Sequence, residues 1–438
     1  MLELAIILVL GLVTGILVGL LPGLPAYVGP LILFPFIQDM TVEQILTFWL
    51  ACQIGSQYFG SVAAILLKVP GEASSIVFIE DLNKLTMNDR YDLVRQTAWG
   101  STIGSLISLS LLLLVFYFGL SEHLIKLTNI NTKLTVLSIL AVTLIYFTKH
   151  RLISAGLFAV GLFFSEKSNQ TLPNWVFDMQ TYTSDITVFS LILGVMIIPE
   201  FLQETFAPIE KDPMDLRLDK QKTQSKLDIK SMLRGTWLGS LIGFIPGPST
   251  ILASVFTYNA QNKDDIKKRI ISSEAANNSA AVTSLLPFLF IGLPITLSEM
   301  IVSDIMHTKF FIMPNDLTNG SIFNGVSIIE FCFIIVGIYT LLYHVLAQRF
   351  LGFYERLMEL AYGKLSWIYL LLVVYLINID TQFNPVYMPR YLIFMAMLTG
   401  LGMWMLKKRI SALPLVFGFI LGDVFAWTIF NFYRINFY

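Results

Sequence analysis

The sequence predicts an all-α, polytopic integral membrane protein. It has about 10–12 membrane helices in two inverted-topology repeats with broken or re-entrant helices. Three observations carry this reading: the composition, the run of apolar segments, and a glycine-proline pattern that occurs twice. Of 438 residues, 55% are hydrophobic and 13% are charged. The mean hydropathy is +0.71. The charged share is about half that of an ordinary soluble domain, which excludes a soluble enzyme.

A membrane-spanning helix needs roughly 20 apolar residues. Apolar segments fall at 3–21, 24–37, 45–67, 97–119, 134–148, 152–164 and 184–202. They resume at 235–245, 249–258, 279–297, 322–347, 365–379, 388–406 and 411–433. Several are too short to cross alone, which predicts re-entrant or broken helices. The N-terminal stretch lacks a basic region and runs on into more apolar sequence, so it reads as a first membrane helix and not as a cleaved leader. Residues 204–234 form the main polar linker and hold Lys211, Arg217, Lys220, Lys222, Lys226, Lys230 and Arg234. The positive-inside rule places this linker in the cytoplasm. It divides the chain into a first membrane repeat, 1–203, and a second, 235–438.

The halves repeat. Gly11, Gly15, Gly19, Pro22 and Gly23 recur at one constant offset as Gly235, Gly239, Gly243, Pro246 and Gly247. Charge then predicts their relative orientation. No Lys or Arg precedes Lys68, whereas the second copy is bracketed by Lys230 and Arg234 and by Lys263, Lys267, Lys268 and Arg269. The second copy therefore starts from the cytoplasm and the first from outside, as in many secondary transporters.

Matched breaks in both halves point to a binding site near the midplane. Pro22-Gly23 and Pro246-Gly247 free backbone groups that hydrocarbon cannot satisfy. Helix N-termini at such breaks suit an anion, and unwound carbonyls suit a cation. The plainer reading is that the Gly-x-x-x-Gly spacing only lets helices pack closely. Each half carries a second polar constellation. The first holds Lys68, Pro70, Gly71, Glu72, Ser74 and Ser75, with Asp81 beyond. The second holds Glu274, Asn277 and Asn278, followed by Pro287, Gly292 and Pro294. Asn amides offer both donors and acceptors, so they serve a carboxylate or a cation; equally, they cap a helix or bond a neighbouring one. Lys68 reads either as a fixed cation facing an anionic substrate or as a side chain snorkelling to an interface. Ser249 and Thr250 follow the second break, to cap the next half-helix or to line the site.

Other chemistries find little support. Cys52 and Cys332 lie in apolar runs, and His123, His150, His307 and His344 show no metal-ligand spacing. No metal site and no resident cofactor are expected. A net charge of −1 offers no bulk attraction to nucleic acid. No HExxH, GxSxG or paired-Asp motif supports an intramembrane enzyme.

At these motifs the sequence resembles the TctA family, the large permease subunit of tripartite tricarboxylate transporters. The segments GSVAAILLKVPGEASS, GSLIGFIPGPS and EAANNSAA followed by PFLFIGLP are similar to the family's signature segments in order and approximate spacing. They cover about 11–81 and 235–297. The resemblance implies a multi-pass permease of the cytoplasmic (inner) membrane, surrounded by lipid. It would import small carboxylates, tricarboxylates or dicarboxylates, driven by a Na⁺ or H⁺ gradient. It further implies a smaller membrane subunit and an extracytoplasmic solute-binding protein as partners. Carried over by position, Gly23, Ser74, Ser75, Gly247, Asn277 and Asn278 become site candidates. This chain has Lys68 where the family usually has Asn, Leu82 and Ser249 where it usually has Gly, and Ile295 where the last Pro-Gly has its Gly. The rival reading is a non-transporting or lipid-handling membrane protein of the same fold.

Overall fold

A computed structural model describes residues 2–21, 24–37, 40–68, 72–118, 130–165, 188–199, 201–202, 225–245, 249–291, 295–305, 328–343, 365–380, 388–419 and 422. Among them every regular element is helical and none is a strand. The chain divides into two compact units. The first takes Met1–Ile125 and Pro208–Gly363, the second Lys126–Ala207 and Lys364–Tyr438. Each unit thus draws one segment from before the polar linker and one from after it, in the same order.

In the first unit, α1 (Leu2–Leu20), the short α2 (Val28–Ile32) and α3 (Phe34–Ile37), and α4 (Val42–Leu67) come first. Two 3₁₀ segments, Ala73–Phe78 and Glu80–Lys84, lead into the long α5 (Met87–Tyr117). The second unit then contributes α6 (Ile130–Phe147), α7 (Arg151–Phe164) and α8 (Val188–Ile192), which runs on into a π turn, Leu193–Ile197. Back in the first unit follow α9 (Ile229–Ile242), α10 (Ser249–Ala260), α11 (Ile266–Thr283), α12 (Leu285–Ile291) and α13 (Leu297–Ile305). The apolar helix Ile328–Tyr343 is α14. The second unit closes the chain with α15 (Leu365–Asp380) and α16 (Met388–Lys408).

Among the described residues, Leu2–Leu20 and Met87–Val115 are long and apolar enough to cross a membrane alone. On α1 the residues Leu2, Ile6, Val9, Val13 and Leu17 form one exposed apolar stripe. Gly11, Gly15 and Gly19 lie on the buried side. An outward apolar stripe with small residues inward is the arrangement of a helix between lipid and protein.

The first unit is built on two helix pairs of the same design. In α1 against α4, a Cβ added at Gly11, Gly15 or Gly19 would stand 2.5, 2.7 or 2.8 Å from the carbonyl oxygen of Phe48, Cys52 or Ser56. In α9 against α11, Gly235, Gly239 and Gly243 lie just as close to the carbonyls of Ser272, Ala276 and Ala280. Every residue of the second set stands 224 positions after its counterpart, glycines and carbonyls alike (11 to 235, 48 to 272). The N-caps share that offset. Thr41 opens α4 with a capping box closed by Gln44, and Asp265 opens α11 by accepting the Lys268 N–H.

The two equivalent helices run in opposite directions. Near the start of α5, Arg90 donates to the Leu66 carbonyl at 3.2 Å, at the C-terminal end of α4. One residue earlier, Asp89 pairs at 2.6 Å with Lys267, at the N-terminal end of α11. So α4 ends where α11 begins.

α11 is where sequence and structure part. The apolar segments at 249–258 and 279–297 leave 259–278 as polar sequence, yet Ile266–Thr283 is one helix and Ile270–Thr283 is buried throughout. It packs against α9, α5, α10 and α4. Polar groups on it are matched by polar groups on its neighbours. Ser279 bonds Ser108 of α5 at 2.7 Å, Ser240 of α9 at 2.7 Å and the Thr236 carbonyl at 2.8 Å. Interhelical hydroxyl bonds between small residues stand here beside the apolar packing of Ala276 and Ala280 on Ala253 and Ile242.

The second unit uses the same device in fewer places. A Cβ at Gly194 would meet the Leu398 side chain at 2.6 Å, and one at Gly402 would meet Pro199 at 2.5 Å, so the π turn and α16 are in close contact.

Candidate functional site

Two of the site candidates, Ser74 and Asn277, come together in the first unit, where the segment after the first break meets α11. The 3₁₀ segment Ala73–Phe78 packs on α10 and α11. Glu72, which precedes it, lies over Gly60 of α4, with its Cγ 3.4 Å from where a Cβ would stand. Its carboxylate faces Asn277 of α11, Gln57 of α4 and Ser74. Glu274, one turn before Asn277, is within electrostatic reach of Glu72 and is 2% exposed.

The individual bonds separate the candidates. Asn277 donates through Nδ2 to Gln57 Oε1 at 2.7 Å, a bond between α11 and α4. Asn278 donates to Ser101 Oγ of α5 at 2.8 Å and to the Glu274 carbonyl at 3.1 Å. It also lines a small cavity with Gln53, Gln57 and Ser105. Ser75 turns back on its own segment and donates to the Glu72 carbonyl at 2.7 Å. Ser249 is buried at the first residue of α10, and its Oγ has no hydrogen-bond partner. Thr250 is half-buried beside it. The structure therefore brings Ser74 and Asn277 together around Glu72, sets Asn278 against α5, and places Ser249 and Thr250 at the start of α10. Pro22, Gly23, Pro70, Pro246, Gly247 and Pro294 lie outside the described residues.

Lys68 ends α4 in the left-handed region, with φ 56° and ψ 28°. Apart from Gly, Asn and Asp accept this conformation best; a lysine there costs of order 1 kcal/mol. Lys68→Asn is therefore expected to keep or slightly raise the melting temperature of the purified protein. A fall of several degrees would mean that the Lys68 side chain, and not the backbone geometry, holds this helix end.

A polar anchor holds the segment behind Glu72 in place. Asp81, in the second 3₁₀ segment, pairs with Lys84 at 2.5 Å and with Arg269 of α11 at 3.0 Å, and accepts from the Tyr258 hydroxyl of α10. Arg269 lies over the Tyr258 ring, 3.7 Å from its centre. The hydrogen bonds from Lys84 and Tyr258, with the Lys84 and Arg269 charges, hold the Asp81 carboxyl below the usual carboxylate range. A depressed value means the stabilisation is fully present above the unfolded value of about 4 and is lost as pH falls through the folded one. Asp81→Asn is expected to lower the melting temperature by a few degrees at neutral pH. That gap should stay constant down to about pH 5 and close below it; a gap independent of pH would assign the effect to packing.

Three participants were not among the sequence candidates: Gln57, Gln53 and Ser298. Gln53 Oε1 accepts from Ser298 Oγ at 2.7 Å, and Ser298 Oγ accepts from Trp49 Nε1 at 2.9 Å. The signal was the 224-residue offset, which carries Gln53 to Asn277, Ser74 to Ser298 and Pro70 to Pro294. Gln53 bonds Ser298 directly, whereas their counterparts Asn277 and Ser74 both face Glu72. Nearby, Glu299 is a helix-capping residue. Its Oε2 accepts the backbone N–H groups of Ile295 and Thr296 at 2.7 and 3.0 Å, and its Oε1 has no partner.

Comparison with known proteins identifies the family. An uncharacterized 52.8 kDa protein in the TAR-I ttuC' 3' region of Agrobacterium vitis is 27% identical over 263 residues. The match covers 55% of this chain and 51% of that protein, so the chain spans about half the length of this relative. No solved structure matches. The Tripartite tricarboxylate transporter TctA family matches residues 5–417, nearly the whole chain. That is a family of membrane transport components and not of enzymes; the chain belongs to the TctA family.

Proposed function

We propose that this chain is the permease of a secondary transport system that imports small carboxylates, tricarboxylates or dicarboxylates, on a Na⁺ or H⁺ gradient. Family membership supports the transport role. The observation that carries the mechanism is the Gln57–Asn277 bond at 2.7 Å beside Glu72 and Ser74, buried where the two halves meet. Polar groups are placed in a membrane interior at a cost of several kcal/mol each when unmatched. They persist there when they line a path for a polar solute.

In this reading the halves are inverted repeats. The glycine ladders at a constant offset support it, as do the matched N-caps and the opposite directions of α4 and α11. The carboxylate sits near the breaks, on backbone N–H groups at Gly23 or Gly247, with Ser74, Ser75, Asn277 and Asn278 orienting it. Burying a carboxylate costs several kcal/mol, and a co-transported cation offsets that cost and couples the two movements. The family's tripartite arrangement supports two partners, a smaller membrane subunit and an extracytoplasmic solute-binding protein. The cytoplasmic membrane is the corresponding location.

The test is uptake of a labelled carboxylate panel, citrate and smaller dicarboxylates included, into proteoliposomes with and without inward Na⁺ and H⁺ gradients, alone and with co-encoded partners. Gradient-driven uptake is expected, and its ion dependence names the driving ion. Absence of uptake in every arm, with lipids and not carboxylates competing for the purified protein, would replace this reading with a lipid-handling role.

A further inference from the structure

The polar cluster around Glu72 contains a feature that hydrogen bonding within the protein leaves open. Glu72 Oε1, Ser74 Oγ and Asn277 Oδ1 are all buried, and none has a hydrogen-bond partner. Ser74 is 3% exposed and Asn277 is 2% exposed. All three belong to side chains that face one another at the Glu72 carboxylate. A buried acceptor left without a donor costs about 1–3 kcal/mol, more for a charged group. Glu72 Oε1 and Asn277 Oδ1 can only accept, and the one Ser74 hydroxyl proton can serve at most one of them, so at least one oxygen here is left for a positive partner.

The other half shows that the fold does not force this. Its equivalent contact pairs Gln53 with Ser298, 224 positions from Asn277 and Ser74. There the serine both donates to the amide oxygen, at 2.7 Å, and accepts from Trp49, at 2.9 Å. The contact is closed by hydrogen bonds. The residue equivalent to Glu72 is Thr296, so that half has no carboxylate at this position. Of the two equivalent contacts, the one beside Glu72 is the one with open oxygens; near the other, the open Oε1 belongs to Glu299, whose second oxygen caps the backbone at Ile295 and Thr296. Glu274 adds a second acidic side chain within electrostatic reach of Glu72, and Tyr343 stands within reach of Glu274.

We propose that Glu72 Oε1, Asn277 Oδ1 and Ser74 Oγ bind a sodium-sized monovalent cation, held between the segment after the first break and α11. A carboxylate, an amide carbonyl and a hydroxyl are hard oxygen ligands, suited to a hard cation and not to a soft metal. A monovalent ion balances Glu72 at less desolvation cost than a divalent one. The Asn277 amide is held in the required sense, because its Nδ2 is committed to Gln57. Backing comes from the Asp81–Arg269–Tyr258 anchor, which fixes the segment that carries Glu72 and Ser74. That this ion is the coupling ion rests on the permease reading above; the site itself does not.

The test is thermal denaturation of the purified full-length chain in detergent, titrated with NaCl against choline chloride at constant ionic strength, with ²²Na⁺ binding measured on the same samples. Wild type is expected to show a saturable rise in melting temperature with Na⁺ and saturable ²²Na⁺ binding. Glu72→Gln should abolish both. Ser74→Ala keeps the charge and loses one ligand oxygen, and should weaken the apparent Na⁺ affinity roughly tenfold. It decides the matter should Glu72→Gln fail to fold. Wild type without a saturable Na⁺ effect, or folded variants that bind Na⁺ as wild type does, would overturn the site; in the first case a pH-gradient-driven uptake would assign Glu72 a proton instead. Na⁺ binding lost in Glu72→Gln together with no uptake of any carboxylate would overturn the permease reading and leave the site standing.

Discussion

Gly239→Val is expected to leave little folded protein. The Cβ of any residue at 239 would stand 2.6 Å from the Cα of Ala276 and 2.9 Å from its carbonyl carbon. Both are backbone atoms, so no side chain can move aside. α11 is also tied to α5, where Gly104 packs as closely, with its own added Cβ 2.7 Å from the Ala275 carbonyl oxygen, so α11 cannot shift without loosening that contact. Overpacking of this kind costs about 1–3 kcal/mol for small insertions, and a branched side chain against backbone on a clamped helix belongs at or above the top of that range. Total stability is typically only about 5–15 kcal/mol. Gly15→Val should act alike, since its Cβ would meet the Cys52 carbonyl oxygen at 2.7 Å and the Tyr339 hydroxyl at 2.8 Å. That hydroxyl bonds the Leu12 and Ala51 carbonyls, so its displacement breaks two more contacts. The comparison is Gly337→Ala on α14, where an added Cβ meets nothing within 4 Å. It should be neutral or stabilising by up to about 1 kcal/mol. Size-exclusion profiles and melting temperatures in detergent check all three. A Gly239→Val variant that elutes and melts like wild type would show that α9 and α11 are not in the contact described.

Those glycines were legible in the sequence, because a five-position Gly/Pro pattern repeated at one offset is visible without any structure. So were most apolar helices: the segment at 3–21 is α1, Leu2–Leu20, and the segment at 365–379 is α15, Leu365–Asp380. What hydropathy could not show was α11. Its Lys267, Lys268, Arg269 and Glu274, with a run of serines and asparagines, offset its isoleucines and alanines, and it can be buried because its polar groups find polar partners on α5, α9 and α4. A scan for apolar runs is blind to that kind of burial. Gln53, Gln57 and Ser298 were missed for a related reason. A lone Gln inside a helix or a Ser at its start has no signature until the partner it bonds is known. The offset would have supplied the partner for two of them. It needed only to be carried from the glycines to the residues they pack on.

Asn277→Ala is expected to lower carboxylate uptake by about 10–100-fold, the range that corresponds to losing one buried polar contact of about 1–3 kcal/mol. Two losses coincide at this residue. Gln57 Oε1 loses the donor it meets at 2.7 Å and becomes a buried acceptor without a partner. The Glu72 cluster loses Oδ1, one of its three open oxygens. Asn277→Asp separates the two losses. It restores an oxygen but not the donor, and it sets a third carboxylate beside Glu72 and Glu274, so its effect should be at least as large. Asn278 is the internal reference. It makes one bond to α5 and one to its own helix, while Asn277 bonds Gln57 and faces Glu72, so the share of Asn278 in orienting the carboxylate is expected to be the smaller. Asn278→Ala should therefore cost melting temperature as much as Asn277→Ala while costing uptake less. The ratio of the two effects decides between a residue that builds the fold and one that serves the solute. Uptake that falls at both positions only in step with the melting temperature would make both asparagines helix-packing residues and would move the transport path away from α11.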